Sequence, residues 1–191
     1  MQEFLPDAEI KGLAEEAASL RESGKFRQAG VGQGSGFQVR SEIRGDQILW
    51  LDEERLTPLQ QKYWDEIESL RLELNRNLFT GLTAFEAHFA IYPTGAFYQR
   101  HLDRFVASDE RAISCTLYLN PNWREEDAGA LRIYTDENGL EAFTDVLPQA
   151  GAFVVFRSDA IFHEVLPAMR ERLSLTGWLK RNPSGFPHLM R

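Results

Sequence analysis

The sequence is poor in cysteine, in basic charge and in long apolar runs, and each shortage excludes a class of protein. Its one cysteine, Cys115, cannot form an internal disulfide, which fits a reducing cytoplasm. Acidic residues outnumber basic residues by 29 to 21, and this net charge of −8 disfavours unaided binding to nucleic acid phosphates. No apolar run approaches the length of a membrane span, and the first residues lack the pattern of a signal peptide. We therefore expect a cytoplasmic protein that binds neither nucleic acid nor membrane.

The N-terminal part of the sequence carries two helical patterns. A chain of 191 residues with 43% hydrophobic and 12% aromatic residues has enough apolar surface for one domain, which we expect to span residues 1–191. Apolar residues recur at helical spacing from Pro6 to Gly24, with Asp7 as the expected N-cap. A second helix is predicted to begin at Thr57, the N-cap, with Pro58 in its first turn. These helices predict a helical support over about residues 1–75.

Beyond Gly81 the sequence changes to short strands separated by turn residues. The predicted strands are Phe85–Tyr92, Ala112–Leu119, Ala130–Tyr134, Ala152–Phe156, Ile161–Leu166 and Leu173–Leu179. Such a series is typical of a sandwich or barrel. We therefore predict a mainly β fold, a double-stranded β-helix or jelly roll over about residues 81–180, with the N-terminal helices packed on it. The glycine-rich stretch Gly30–Gly36 lacks the Lys-Ser or Lys-Thr of a phosphate loop, and a flexible surface loop near a site entrance is expected there.

The segment from Tyr92 to Asp103, YPTGAFYQRHLD, contains a candidate metal site. It reads as an extended segment, and residues two apart on a strand project from the same face, so His101 and Asp103 are predicted to point at one spot. A jelly roll brings distant antiparallel strands together, which makes His163 the natural third ligand. Two histidines and one carboxylate form the facial triad that binds non-haem Fe(II) and leaves positions open for oxygen chemistry.

Arg172 follows His163 by nine residues and is a candidate anchor for an acidic co-substrate. A guanidinium inside a barrel is costly unless it is paired, and the dicarboxylic acid 2-oxoglutarate would pair it through two parallel hydrogen bonds. Taken alone, such an arginine is more often a surface residue. The remaining histidines, His88 and His188, are interpreted as ordinary core or surface residues, and Cys115 as a small buried hydrophobic residue.

These motifs together resemble the Fe(II)- and 2-oxoglutarate-dependent prolyl 4-hydroxylases, in particular the hypoxia-inducible-factor prolyl hydroxylase type and its bacterial relatives. The resemblance runs from about Gly36 to Lys180. It is carried, in order, by Arg44-Gly-Asp-Gln-Ile-Leu-Trp50, Tyr92-Pro, Tyr98-x-x-His-x-Asp103, Tyr118-Leu-Asn120, Gly129-Ala-Leu-Arg-Ile133, His163-Glu-Val-x-Pro167, Arg172, Thr176 and Trp178.

The resemblance implies a role for each matching residue. His101, Asp103 and His163 would bind Fe(II). Arg172 would pair with the distal carboxylate of 2-oxoglutarate, Tyr118 would hydrogen-bond the same carboxylate, Tyr92 would line its pocket and Thr176 would lie close to the metal. Asp46 and Arg111 match a pair near the substrate entrance, although a structural salt bridge would explain them equally well.

The resemblance also implies a reaction and a partner. The enzyme would use O2 and 2-oxoglutarate, with ascorbate as reductant, to hydroxylate a prolyl residue in an exposed loop of another protein, such as elongation factor Tu. The products would be hydroxyproline, succinate and CO2. The sequence departs from the family where a glycine pair before the Leu-Arg-Ile strand appears as Ala128-Gly129-Ala130, which puts the local turn in doubt.

Three alternatives remain open. The same iron chemistry could act on another side chain, a free amino acid or a small metabolite. A metal-binding jelly roll could act as a sensor or scaffold without turnover. A zinc-type cupin enzyme also uses histidine and carboxylate ligands. An arginine that binds the co-substrate would exclude the last two.

Overall fold

The computed structural model describes residues 4–30, 38–104, 110–136 and 141–182. Within these ranges the helices and strands are α1 Asp7–Glu22, β1 Arg27–Gln28, β2 Gln47–Trp50, α2 Pro58–Leu78, β3 Leu82–Tyr92, β4 Tyr98–His101, β5 Arg111–Tyr118, β6 Leu131–Tyr134, β7 Phe143–Val146, β8 Phe153–Arg157, β9 His163–Val165 and β10 Arg172–Arg181. A major antiparallel sheet has the order β1-β2-β3-β10-β5-β8, and a minor antiparallel sheet has the order β4-β9-β6-β7. The predicted mainly β jelly roll with N-terminal helices is confirmed.

The major sheet has one apolar face and one polar face because its strands alternate. β3 and β10 pair along most of their length, from Arg172 opposite Tyr92 to Lys180 opposite Ala84. One face packs against α1 and α2 in a core that includes Leu13, Tyr63, Ile67, Ala87, Phe89, Leu117, Leu175 and Leu179. The alternate residues line a cavity instead, and they are Glu86, His88, Ala90 and Tyr92 on β3 and Arg172, Ser174, Thr176 and Trp178 on β10. The strand period therefore separates structural residues from candidate functional residues.

The two helices begin in different ways. Thr57 Oγ1 accepts a hydrogen bond from the backbone N–H of Gln60 (3.3 Å), and the Thr57 N–H donates to Oε1 of the Gln60 side chain (3.3 Å), so α2 has the predicted cap. The prediction of Asp7 as the N-cap of α1 is wrong. Asp7 is the first helical residue, and Pro6 occupies the cap position in an extended conformation without a side-chain hydrogen bond.

Several strand details differ from the prediction. β1 was not predicted; it pairs with β2 at the edge of the major sheet. β7, Phe-Thr-Asp-Val, was not predicted because it is an edge strand of the minor sheet with three exposed residues, so it lacks an apolar run. In the described part of the chain, we find no helix with the length and apolar character needed to cross a membrane.

Candidate metal and co-substrate site

A cavity of about 430 Å³ lies between the two sheets. The major sheet contributes residues of β3, β5 and β10, and the minor sheet contributes residues of β4, β6 and β9. Of the nine candidate site residues selected from the sequence, all but Asp46 line this cavity: His101, Asp103, His163, Arg172, Tyr118, Tyr92, Thr176 and Arg111. The fold thus brings side chains from five separate segments to one space.

Three metal-binding side chains meet on one side of the cavity. β4 and β9 pair so that His101 lies directly opposite His163. The ligand atoms of His101, Asp103 and His163 all lie within 4.8 Å of one another. Asp103 Oδ1 is 3.4 Å from His101 Nε2, and Asp103 Oδ2 is 3.6 Å from His163 Nε2. The prediction that His101 and Asp103 share one strand face is wrong, because β4 ends at His101 and Asp103 lies in the bend that follows.

Backbone carbonyls orient both imidazole rings. The Nδ1 atom of His101 lies 2.7 Å from the carbonyl oxygen of Gln99, and that of His163 lies 3.1 Å from the carbonyl oxygen of Ile161. Because a carbonyl oxygen only accepts hydrogen bonds, each Nδ1 is the protonated nitrogen. The lone pair of each neutral ring is therefore on Nε2, which faces Asp103, and this is the arrangement that a bound metal requires.

The three side chains influence one another's protonation. Burial alone would raise the pKa of Asp103, but the positive charge of His163 when protonated, and the hydrogen bonds that both rings donate when protonated, bring the pKa of Asp103 well below its usual value. Burial and the proximity of His163 lower the pKa of His101. Burial also opposes the charged form of His163, but the Asp103 carboxylate outweighs it and raises the pKa of His163. Asp103 is consequently ionised, and the donor set of two imidazoles and one carboxylate fits Fe(II).

Arg172 supplies a buried positive charge to the same cavity. Only 2% of the residue is exposed. Its Nε donates to the carbonyl oxygen of Gly129 (3.0 Å), and its Nη2 donates to the hydroxyl of Tyr118 (3.2 Å). Among the described residues, no carboxylate forms an ion pair with Arg172. A buried guanidinium whose partners are neutral is costly, and an anionic ligand would offset that cost, so this position favours anion binding.

Aromatic rings and hydroxyl groups complete this end of the cavity. The guanidinium carbon of Arg172 lies 5.1 Å from the ring centre of Tyr92 and 4.8 Å from that of Tyr118. Thr176 Oγ1 lies 3.4 Å from Thr116 Oγ1 and 3.3 Å from Ser174 Oγ. The wall next to Arg172 is therefore shaped by flat rings and offers short hydroxyl groups, as a small polar co-substrate requires.

Asp46 and Arg111 do not pair with each other. Asp46 is completely buried and accepts two hydrogen bonds from Arg44, at 2.7 and 2.6 Å. Arg111 lines the far end of the cavity, where it binds Glu86 (2.9 Å) and stacks 3.5 Å from the ring centre of Trp178. Their placement at a substrate entrance stays a prediction.

Two other predictions fall partly or wholly outside the described residues. Of Gly30–Gly36, the structure describes Gly30, which lines the cavity and whose carbonyl accepts from Arg44 Nη1 (3.3 Å). Residues 31–37 are outside the described ranges, and so is His188.

Known proteins with similar sequences and structures are iron- and 2-oxoglutarate-dependent oxygenases. The model of the 2OG-Fe(II) oxygenase superfamily matches residues 87–180, which contain all three candidate metal ligands and Arg172. A Pseudomonas putida prolyl-4-hydroxylase of known crystal structure is 44% identical, with a TM-score of 0.83, over 95% of this chain and 91% of that one.

The chain belongs to the 2OG-Fe(II) oxygenase superfamily.

Two further relatives of this oxygenase carry related names. A Trichoplax adhaerens prolyl hydroxylase, solved with a peptide of the hypoxia inducible factor oxygen degradation domain, is 28% identical with a TM-score of 0.81, over 94% of this chain and 81% of that one. The Xenopus laevis prolyl 3-hydroxylase OGFOD1 is 33% identical over 90 residues, which is 41% of this chain and 18% of that protein. The oxygenase therefore spans only a small part of this curated relative.

Some residues around the oxygenase site were missed by the sequence analysis. Ser114 binds the Asp103 carboxylate, and Glu86 binds Arg111 within the cavity lining. A serine and a glutamate on strands give no signal of their own. Only the residue spacing along β3 and β5, once the strands are paired, places them on the cavity side.

Proposed function

We propose that this oxygenase is an Fe(II)- and 2-oxoglutarate-dependent prolyl hydroxylase that acts on an exposed loop of another protein. The observation that carries the proposal is the buried guanidinium of Arg172, which pairs with no carboxylate of the described residues and lies on the wall of the cavity that also holds His101, Asp103 and His163. A metal site alone would serve a scaffold, but a scaffold does not require a second buried charge of this kind.

The residues of the chain divide the work of binding. His101, Asp103 and His163 would hold the iron, and the bound iron, with 2-oxoglutarate and O2, would supply the oxidising chemistry that yields succinate, CO2 and a hydroxylated carbon. Arg172 and the hydroxyl of Tyr118 bind the distal carboxylate of 2-oxoglutarate. The two groups lie side by side in the cavity wall, 3.2 Å apart, so one carboxylate can contact both. Tyr92 and Thr176 line the same cavity, and we propose that Thr176 lies close to the bound metal. The chain positions the groups and supplies no acid or base of its own.

The substrate assignment rests on the relatives. The Pseudomonas and Trichoplax proteins are named as prolyl hydroxylases, and the latter was solved with a peptide. We propose prolyl 4-hydroxylation, with Asp46 and Arg111 near the entrance for the substrate loop. Elongation factor Tu is the candidate partner by family resemblance. The cytoplasm is the proposed compartment, ascorbate the proposed reductant, and a single domain over residues 1–191 the proposed organisation.

The test is oxygen transfer to a protein. Purified enzyme is incubated with Fe(II), 2-oxoglutarate, ascorbate, isotopically labelled O2 and elongation factor Tu, and the substrate is digested and analysed by mass spectrometry. We expect one labelled oxygen atom on a proline of an exposed loop, with one succinate formed per hydroxyproline. The His101→Ala variant is the control and is expected to transfer none.

Other outcomes point to the alternative functions. Labelled oxygen on another side chain, or succinate formation that depends on a small metabolite, would replace the prolyl assignment with another 2-oxoglutarate oxygenase. Metal binding without any 2-oxoglutarate turnover, across a panel of proline-containing proteins and metabolites, would favour a metal-binding sensor.

A further inference from the structure

Two buried serines lie behind the Asp103 carboxylate. Ser114 Oγ is 2.6 Å from Asp103 Oδ2, and Ser158 Oγ is 2.9 Å from Ser114 Oγ. Neither serine has any exposed surface. Ser114 belongs to β5, and Ser158 directly follows β8. The candidate metal ligand is therefore connected by side-chain hydrogen bonds to two strands of the major sheet.

The direction of these hydrogen bonds is fixed by chemistry. A carboxylate that binds a metal ion carries no proton of its own, so the oxygens of Asp103 only accept, and Ser114 must donate its one hydroxyl proton to Oδ2. Ser114 Oγ can then only accept from Ser158, which must donate to it. The two protons point in sequence from Ser158 to Ser114 to Asp103. A buried hydroxyl group of this kind has no water to replace a lost partner.

The backbone supports the same connection. The carbonyl oxygen of Ser158 accepts a hydrogen bond from the backbone N–H of Arg104 (3.1 Å), the residue after Asp103. The backbone N–H of Ser158 donates to the carbonyl oxygen of Ala112 (3.0 Å) on β5. Asp103 lies outside any strand, so these contacts and the serine hydroxyls replace the strand pairing that orients His101 and His163.

We propose that Ser114 and Ser158 are positioning residues that hold Oδ2 of Asp103 and leave Oδ1 to bind the metal. The proposal rests on the proposed function. One-oxygen binding matters because three protein ligands must leave enough positions for a two-atom contact with 2-oxoglutarate and for O2. A carboxylate that is free to turn can bind through both oxygens and occupy a position that the reaction needs. Hydrogen-bond partners of metal ligands commonly contribute tenfold to hundredfold to metal affinity or activity.

The experiment compares four variants by metal binding and by spectroscopy. Ser114→Ala removes the hydroxyl, Ser114→Thr retains it, and Ser158→Ala removes only the second donor. Cys115→Ala is the matched control, because it deletes one heavy atom from the next residue of β5, which packs into the helix-facing core. Mn(II) affinity is measured by electron paramagnetic resonance. The visible spectrum of the Co(II) form, with and without 2-oxoglutarate, reports the coordination of the metal.

Ser114→Ala is expected to lower Mn(II) affinity by about tenfold or more and to shift the Co(II) spectrum. Ser114→Thr is expected to restore both, and Ser158→Ala to show a smaller change. A folded Ser114→Ala variant with wild-type Mn(II) affinity and Co(II) spectrum would overturn the positioning role, as would a Cys115→Ala variant that shows the same losses. If Ser114→Ala does not fold, Ser158→Ala decides on the same two readouts.

The two proposals fail in different ways. Wild-type protein that binds Mn(II) but not 2-oxoglutarate would contradict the proposed oxygenase activity, and the Mn(II) comparison of the serine variants would still decide the positioning role. Wild-type protein that binds no metal would overturn both.

Discussion

At the scale of single residues, the site combines charges that the protein interior normally avoids. Arg172 is buried without a carboxylate partner among the described residues, and Asp103 is buried beside two histidines. Burying a charge costs several kcal/mol unless it is paired. A bound ligand can offset that cost. Here a divalent cation would neutralise Asp103, and a dicarboxylate would neutralise Arg172.

His88 is a buried residue of the cavity wall, and the folded protein disfavours its protonated form. Its ring lies between Trp50 and Trp178, at 4.8 and 5.4 Å between ring centres. Burial lowers the pKa of His88 to about 4, with Arg44 and Arg111 adding to the effect and Asp46 opposing it. The unfolded chain takes up this proton near pH 6.5, so the unfolded state binds more protons between about pH 4 and pH 6.5. His88 therefore makes the folded state less stable as the pH falls through that window.

Replacing His88 by glutamine is expected to remove this dependence. The free energy of unfolding of the wild type should fall more steeply than that of His88→Gln, by about 1.4 kcal/mol per pH unit between pH 6.5 and 4. Urea unfolding at several pH values measures the difference, and above pH 7 the two curves should run parallel. Parallel curves over the whole range would show that His88 is protonated in the folded state as readily as in the unfolded chain.

At the scale of structural elements, the turn before β6 places the main-chain partner of Arg172. Ala128 has φ 53° and ψ −139°, a conformation that favours glycine, and Gly129 follows with φ 70°. The turn is therefore kept although an alanine stands where the resembling family has a glycine. The carbonyl oxygen of Gly129 accepts from Arg172 Nε (3.0 Å), so the turn also positions the proposed anchor for the co-substrate.

Ala128→Gly is expected to stabilise the protein by about 1 kcal/mol, because the glycine adopts the same backbone conformation without strain. Gly129→Ala is the contrasting variant. Its new Cβ would lie 2.6 Å from the Cβ of Ala168, and it is expected to destabilise the fold and weaken 2-oxoglutarate binding. Urea unfolding and calorimetry measure the two effects. A loss of stability in Ala128→Gly would contradict this account of the turn.

The strands also show which parts of the fold can be predicted from the sequence. The long strands β3, β5 and β10 were predictable because their apolar residues alternate over eight residues or more. The strands β1 and β7 were missed because each is a mostly exposed strand at a sheet edge and shows no apolar run. The bend at Asp103 and its contact with Ser114 and Ser158 could not be predicted, because they depend on which strands pair. Strand pairing is decided by contacts between residues that are far apart in the sequence.

At the scale of the whole molecule, the two faces of the major sheet have different roles: one packs on the helices and the other lines the cavity. The helices cover the apolar face of the major sheet, and the minor sheet closes over the polar face to form the cavity. The row of cavity residues on β10 runs from Arg172 to Trp178, about 20 Å at the rise of a strand. The proposed co-substrate end at Arg172 and the proposed substrate end at Trp178 therefore lie at opposite ends of one row on β10.

The most direct test of the account is 2-oxoglutarate binding to the Mn(II)-loaded protein by calorimetry in the absence of O2. Wild-type protein is compared with Arg172→Ala, with metal-free protein and with Arg55→Ala, a control arginine whose side chain is 84% exposed. We predict saturable binding that needs the metal, that Arg55→Ala retains, and that Arg172→Ala weakens by about a hundredfold, as expected when a charged hydrogen-bonding partner is lost. Binding that is equal with and without Arg172, or no binding to folded, metal-loaded wild type, would contradict the central claim.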